Sequence, residues 1–296
     1  MNTNNALIGA LVADAAALGL HWLYDQDQIG RIGKCGHVLF RQPDVAHYEA
    51  QKGYFAQGAR RAGQLSHYGE SARIAALACD EGSYSASEHR AEFLKSFGPC
   101  GSFHGYADRP TKALVGAMLL HGDELSDPSG IDDDQMPGLC PVAAVFSRSL
   151  GVEAALEASS VISTNEQLLL CARLIFDCLE KLSQGLSLPE TLEQAAQSDT
   201  GSLHTALQES LARPSAAPLD VAQHYGLACH VPQGMPVSWH ILKHASSFEH
   251  ALSDNVRCGG DSCGRAMIIG PLAALAFGVP QGFIDKLDAS ALHGII

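Results

Sequence analysis

Aromatic residues make up only 6% of the 296-residue chain, and no stretch of useful length alternates polar and apolar residues with the two-residue period of a half-buried strand. These two shortages argue against a sandwich or barrel of strands, while abundant Ala, Leu and Gly favour packed helices. Basic residues are short as well: 19 Lys and Arg stand against 32 Asp and Glu, a formal net charge of -13. No basic patch is visible, so a nucleic-acid partner is not expected. The nine cysteines include no Cys-x-x-Cys pair, which points to reduced intracellular thiols and away from a disulfide framework or a zinc site. Met-Asn-Thr-Asn-Asn at the start lacks the basic segment of a signal peptide. The apolar run from Ala6 to Leu20 is broken by Asp14 and too short to span a bilayer. A cytoplasmic location with no membrane partner is the resulting expectation.

What the chain does have is concentrated at Asn255 to Gly278, a polar glycine-rich turn followed by a run with almost no polar side chain after Arg265. Gly259 and Gly260 open backbone conformations closed to other residues, so the chain can turn sharply there. Asp261 or Ser262 stands where a helix N-cap belongs. The following helix is apolar all round, as in a helix buried in the middle of a protein, and Gly270, Ala273, Ala274 and Gly278 admit close neighbours. Pro271 predicts a kink, or a helix that starts late. Read without context, Gly-Gly-Asp-Ser before an apolar helix is equally a turn and its cap.

Residues 6 to 25 predict a second buried helix, with Asp14 alone among small apolar residues. An uncompensated carboxylate there would cost several kcal/mol, so Asp14 needs donors or a cation. His21, Trp22, Tyr24 and Asp25 at its end either hold a ligand by stacking and hydrogen bonding or plug the edge of the core. The glycine-rich segment 26–65 predicts loop with one short helix, of the kind that lines sites on a helical scaffold. A third turn-to-helix junction, Gly63 through Ser71 and on to Cys79, places Glu70 in a first turn, which the helix dipole alone explains. Asp132-Asp133-Asp134 is either a solvated run or a group with one or two carboxylates turned toward a cation. Further helices are expected at 88–97, 111–121, 140–150, 151–161, 165–184, 189–197, 200–213, 237–247 and 247–253, with a Pro-Ser-Ala-Ala-Pro loop at 214–218. A single all-α domain over residues 1–296 is the simplest account.

Three of these junctions carry a resemblance to the ADP-ribosylglycohydrolase superfamily across essentially the whole chain. Gly9 through Asp14-Ala resembles its N-terminal Gly-x-x-x-Gly-Asp-Ala helix, Tyr68-Gly-Glu-Ser71 falls at its Thr-Asp-Asp-Thr, and Gly259-Gly-Asp-Ser-Cys-Gly264 resembles its Gly-Gly-Asp-Thr-Asp-Thr turn. Gly278-Val-Pro also matches. The set is more similar to the branch of J-type crystallins and selenoprotein J, through Asp14-Ala-Ala-Ala, Leu20 through Asp25, Ser66-x-Tyr-Gly-Glu70 and Asn255 through Arg265.

The resemblance implies a compact multi-helix fold and a cleft for ADP-ribose or an ADP-ribosylated substrate, usually with two magnesium ions that orient the ribose for attack by water. Position by position, the Thr-Asp-Asp ligands fall on Tyr68, Gly69 and Glu70. Asp261 remains, but the second aspartate falls on Cys263 and the last threonine on Gly264. The glutamate often assigned to catalysis falls near His21. The reading that follows has Glu70 and Asp261 holding a magnesium ion or a ribose diol, with Asp14, His21 and Glu70 as the catalytic set. Trp22, Tyr24, Ser66, Tyr68, Asp133, Asn255, Gly259, Gly260, Ser262, Cys263 and Arg265 would line the ligand. The alternative is a catalytically degenerate ADP-ribose binder or a structural, crystallin-like protein. A third reading gives Cys263, at a helix N-terminus, a lowered thiol pKa and thiol chemistry.

Overall fold

The structure is a computed structural model that describes residues 3–80, 82–198, 201–213 and 218–295. Among these, α-helices follow one another almost without interruption: α1 (Asn4–Ala17), α2 (Gln26–Lys34), α3 (His67–Leu77), α4 (Ala86–Phe97), α5 (Arg109–His121), α6 (Pro141–Ser147), α7 (Val152–Ser160) and α8 (Glu166–Ser183). The second half continues with α9 (Leu188–Ala195), α10 (His204–Leu211), α11 (Pro218–Tyr225), α12 (Val231–His244), α13 (Phe248–Cys258), α14 (Ser262–Phe277) and α15 (Gln281–Ile284). Two-residue strands, Cys79–Asp80 and Ser83–Tyr84, form the one small antiparallel sheet among the described residues. The expected all-α architecture is the observed one. No described helix is long and apolar enough to cross a membrane.

Helices α1 and α14 form the centre, and their sequences explain why. From Ala6 to Ala17 every residue of α1 except Ile8 is buried, and α14 is buried from Ser262 to Leu275. They approach so closely that a Cβ on Gly270 would lie 2.4 Å from the Gly9 carbonyl oxygen and 2.7 Å from the Ala13 Cβ. Only glycine leaves room there, and the reward is dense contact between two apolar surfaces. Helix α14 begins at Ser262 and continues through Pro271, so the late start does not occur.

Other boundaries shift for local reasons. The helix expected over 6–25 ends at Ala17, passes through a short 3-10 turn at Leu18–Leu20, and leaves Trp22 at φ 65°. The chain turns there because the Trp22 amide donates to the Gly260 carbonyl at 2.8 Å, which ties the end of α1 to the glycine turn. Helix α3 starts earlier than Ala72 because Ser66 caps it, its hydroxyl accepting from the Tyr68 amide at 3.1 Å. Helix α12 starts at Val231, ahead of the expected 237, and carries Pro236 within it; α11 falls almost wholly beyond the expected 214–218 loop, in a stretch for which no helix was expected. Residues 214–217 of that expected loop, and Thr200 at the head of the expected helix 200–213, lie outside the described residues.

Candidate functional site

Asp14 sits on the face of α1 that meets the start of α3. Its carboxylate accepts from the Ser66 amide at 2.7 Å and from the Ser66 hydroxyl at 2.5 Å. A Cβ on Gly69 would lie 2.3 Å from Asp14 Oδ2, so the first turn of α3 is shaped around this carboxylate. Burial pushes the Asp14 carboxyl up to about 6, with the two Ser66 donors pulling the other way.

Across from it stands the glycine turn. Gly259 and Gly260 adopt φ 77° and 64°, in the left-handed region that glycine enters freely. The Gly260 amide donates to Leu23 O at 2.8 Å and the Asp261 amide to Leu227 O at 2.9 Å. Beneath the turn lies the fully buried Arg265. Its Nε donates to Asn255 Oδ1 at 2.9 Å, and one terminal nitrogen donates to the Asn255 and Gly259 carbonyls at 3.0 and 2.7 Å. Asn255 Nδ2 in turn donates to Ser262 O at 2.8 Å. Arg265 and Asn255 therefore clamp the turn from below.

This clamp aims Asp261 inward. Asp261 occupies the N-cap position of α14 but makes no capping hydrogen bond, and the Ser262 hydroxyl is buried without a partner; neither residue caps the helix as the sequence suggested. Instead Asp261 Oδ2 accepts from the Tyr68 hydroxyl at 3.2 Å, and Oδ1 faces His21 Nε2 at 3.6 Å. The Cys263 amide, in the first turn of α14, donates to His21 Nδ1 at 3.2 Å. That donor makes Nδ1 the acceptor and leaves the proton on Nε2, toward Asp261. Burial holds the His21 imidazole well below its usual range, with the neighbouring His67 and Arg265 acting the same way, so it is neutral. Burial pushes Asp261 up to about 6 against the pull of Arg265.

A second imidazole–carboxylate pair adjoins the first. Asp108 caps α5, Oδ1 accepting from the Thr111 amide at 3.0 Å, while Oδ2 lies 3.3 Å from His67 Nε2. Burial opposes ionisation of Asp108, but His67 and the Thr111 donors outweigh it and hold the carboxyl below its usual range. The His67 ring lies 6.5 Å from that of His21 and 6.0 Å from that of Tyr106. Trp22 stacks on His21 at 4.6 Å and meets Tyr106 edge-on at 4.9 Å. Both rings are partly exposed, so they form the outer wall over an interior of buried polar groups. In that interior, five buried atoms make no hydrogen bond: His67 Nδ1, and the facing pairs His21 Nε2–Asp261 Oδ1 at 3.6 Å and His67 Nε2–Asp108 Oδ2 at 3.3 Å. Buried polar atoms are nearly always paired, so a cluster of orphans marks a place built for water or a ligand.

The sequence model of the ADP-ribosylglycohydrolase family matches residues 3–295. The chain belongs to that family. It is 20% identical to Crystallin J1A of Tripedalia cystophora over 302 residues, covering 95% of this chain and 90% of that protein. A solved structure described as an ADP-ribosylglycohydrolase-related protein complex superposes with a TM-score of 0.59 at 13% identity, covering 99% of both chains. At that identity the likeness shows the fold.

Within the family frame, the structure brings Asp14, Ser66, Tyr68, His21, Cys263 and Asp261 together, with Trp22 at their rim. Glu70 is drawn elsewhere. Its carboxylate takes Arg73 Nε at 2.9 Å and a terminal nitrogen at 2.8 Å, plus the Ser96 hydroxyl at 2.5 Å, and it lines a separate cleft with Arg60, Leu65, Arg73 and Phe103. Asp133 is buried and taken by the Arg109 guanidinium and by the Gln135 amide at 2.9 Å, so the cation it meets is an arginine of α5. Tyr24 meets Tyr54 edge-on at 6.2 Å and lines a neighbouring cleft of about 590 Å³ with Lys52 and Leu227. Cys263 is fully buried, and burial raises its thiol well above the usual range, which removes the reading of a reactive, low-pKa thiol.

The residues present do not fit a magnesium ion, which wants several hard oxygen ligands in octahedral array. Glu70 is spent on Arg73 and Ser96, and Asp261 is met by a hydroxyl and an imidazole. Position 263 offers a thiol whose Sγ lies 3.6 Å from the Asp14 carbonyl. No group of three or more His, Cys, Asp or Glu side chains that could hold a metal is found among the described residues. Sequence reasoning missed His67, Asp108 and Tyr106. The signal at Asp108 was an N-cap followed by proline, and it was legible only as a helix start.

Proposed function

We propose that this chain binds an ADP-ribose-type ligand beneath Trp22 and Tyr106 and hydrolyses its glycosidic bond with the two imidazole–carboxylate pairs. The observation that carries the proposal is the cluster of five orphaned polar atoms on His21, His67, Asp108 and Asp261, enclosed by aromatic faces suited to flat or polyol ligands. Ionised Asp108 orients His67 so that Nε2–H faces the carboxylate, which leaves the Nδ1 lone pair to accept a proton from water. The water oxygen then forms a bond to the anomeric carbon as the glycosidic bond breaks. The leaving group takes a proton from the interior: Asp261, raised toward neutrality by burial, supplies it, and His21 Nε2–H donates a hydrogen bond beside it. A soluble, cytoplasmic setting is part of the same proposal.

The test is incubation with ADP-ribosylated peptide and with free ADP-ribosyl glycosides, in the presence of a chelator, followed by mass spectrometry. Wild-type turnover that falls by about a hundredfold or more in His67→Asn supports the proposal. Ligand binding with no turnover on any of these substrates would instead establish the second reading, a degenerate binder, which the likeness to Crystallin J1A favours.

A further inference from the structure

We propose that protein donors hold Asp261 in the place where relatives are expected to use a divalent ion, so that the site is metal-independent. Asp261 Oδ2 accepts from the Tyr68 hydroxyl at 3.2 Å, while Oδ1 makes no hydrogen bond and faces His21 Nε2 at 3.6 Å. The cation acting most strongly on this carboxylate is the buried Arg265. A fixed guanidinium locked to Asn255 and Gly259 supplies positive charge with no ion to recruit.

Packing makes the arrangement hard to undo. The family's first aspartate on α3 would stand at Gly69, where a Cβ would lie 2.3 Å from Asp14 Oδ2 and 2.9 Å from its Cγ. The family's last threonine would stand at Gly264, where a Cβ would lie 2.0 Å from Asp261 Oδ2 and 3.0 Å from Met136 Sδ. Real Cβ atoms do not sit that close to neighbours in a packed interior. A side chain at either position would require the Asp14 or Asp261 carboxylate to move off its present hydrogen bonds to Ser66 or Tyr68. The surviving acid on α3, Glu70, is neutralised by Arg73 on the opposite flank.

The experiment is performed on the full chain after chelator treatment. Magnesium and manganese are titrated calorimetrically, and thermal unfolding is followed with chelator and with millimolar ion. The expected result is no saturable heat and no rise in the unfolding midpoint. An ion held at a hundredth of its applied concentration would raise that midpoint by about 5 °C, and such a rise, lost in Asp261→Asn, would overturn the proposal. A second variant, Gly69→Asp/Gly264→Thr, places the family residue type at the two glycine positions and leaves Tyr68 and Cys263 unchanged. It is expected to unfold at lower temperature than wild type and still bind no ion. If it matches wild-type stability and gains an ion site, the steric argument is wrong. Neither readout uses ADP-ribose or turnover, so its failure is distinguishable from failure of the proposed activity.

Discussion

Replacing Asp14 by asparagine isolates what a buried carboxylate does to this fold. Burial raises the Asp14 carboxyl from 3.8 to about 6, the reverse of the usual surface aspartate. The folded state therefore holds the proton more tightly than the unfolded chain, and the group's contribution to stability is lost as pH rises from about 4 to about 6. A shift of about two units corresponds to roughly 3 kcal/mol at pH 7.5, and to only about 0.5 kcal/mol at pH 4, where the unfolded chain is itself half protonated. Asparagine keeps the shape and can still accept from the Ser66 amide. The variant should therefore gain about 2.5 kcal/mol relative to wild type on going from pH 4 to pH 7.5, or roughly 5 °C in unfolding midpoint. Comparing the two pH values removes any constant penalty from an imperfect hydrogen bond to the Ser66 hydroxyl. Denaturant unfolding of both proteins at the two pH values measures the difference. A difference near zero, or one of opposite sign, would refute the claim that Asp14 is a strained, desolvated anion at neutral pH.

Arg265→Met removes three hydrogen bonds from beneath the glycine turn and leaves the Asn255 and Gly259 carbonyls buried and unpaired; a loss of about 3–5 kcal/mol is expected from urea unfolding. Gly270→Ala should destabilise by about 2 kcal/mol or more, because its Cβ would meet the Gly9 carbonyl. Gly116→Ala, on α5 with open space around it, should instead be neutral or gain up to about 1 kcal/mol; thermal unfolding separates the two. Trp22 lies at the site and Trp239 is fully buried, so a ligand should change tryptophan fluorescence in wild type and leave Trp22→Phe silent. Under a thiol reagent, exposed Cys35 and Cys100 should react first, and Cys263 only on unfolding.

The fold was legible because its signals are local and cumulative: small apolar residues on all sides of α1 and α14, and glycines at 259 and 260 that had to turn. The resemblance gathered these junctions at one cleft, but the pairing of Asp14 with the start of α3 and of Asp261 with His21 is contained in no spacing of the chain. Glu70 shows the opposite case. Helical phase places it a hundred degrees of rotation from Gly69, and Arg73 three residues on is its natural partner, so its diversion was readable from α3 alone. His67 and Asp108 were not readable. They come from segments 41 residues apart in number, and nothing near either residue names the other. The Trp22 turn was hidden for a similar reason, since its partner is the Gly260 carbonyl at the far end of the chain.

The central claim is that the orphaned atoms of His21, His67, Asp108 and Asp261 form a ligand site. Its most direct test is calorimetric titration of ADP-ribose, with chelator present, into wild type and Asp108→Asn. The account predicts saturable one-site binding by wild type, weakened at least about tenfold, or about 1.4 kcal/mol, in the variant. A wild-type protein that shows no binding of ADP-ribose up to millimolar concentration would contradict it.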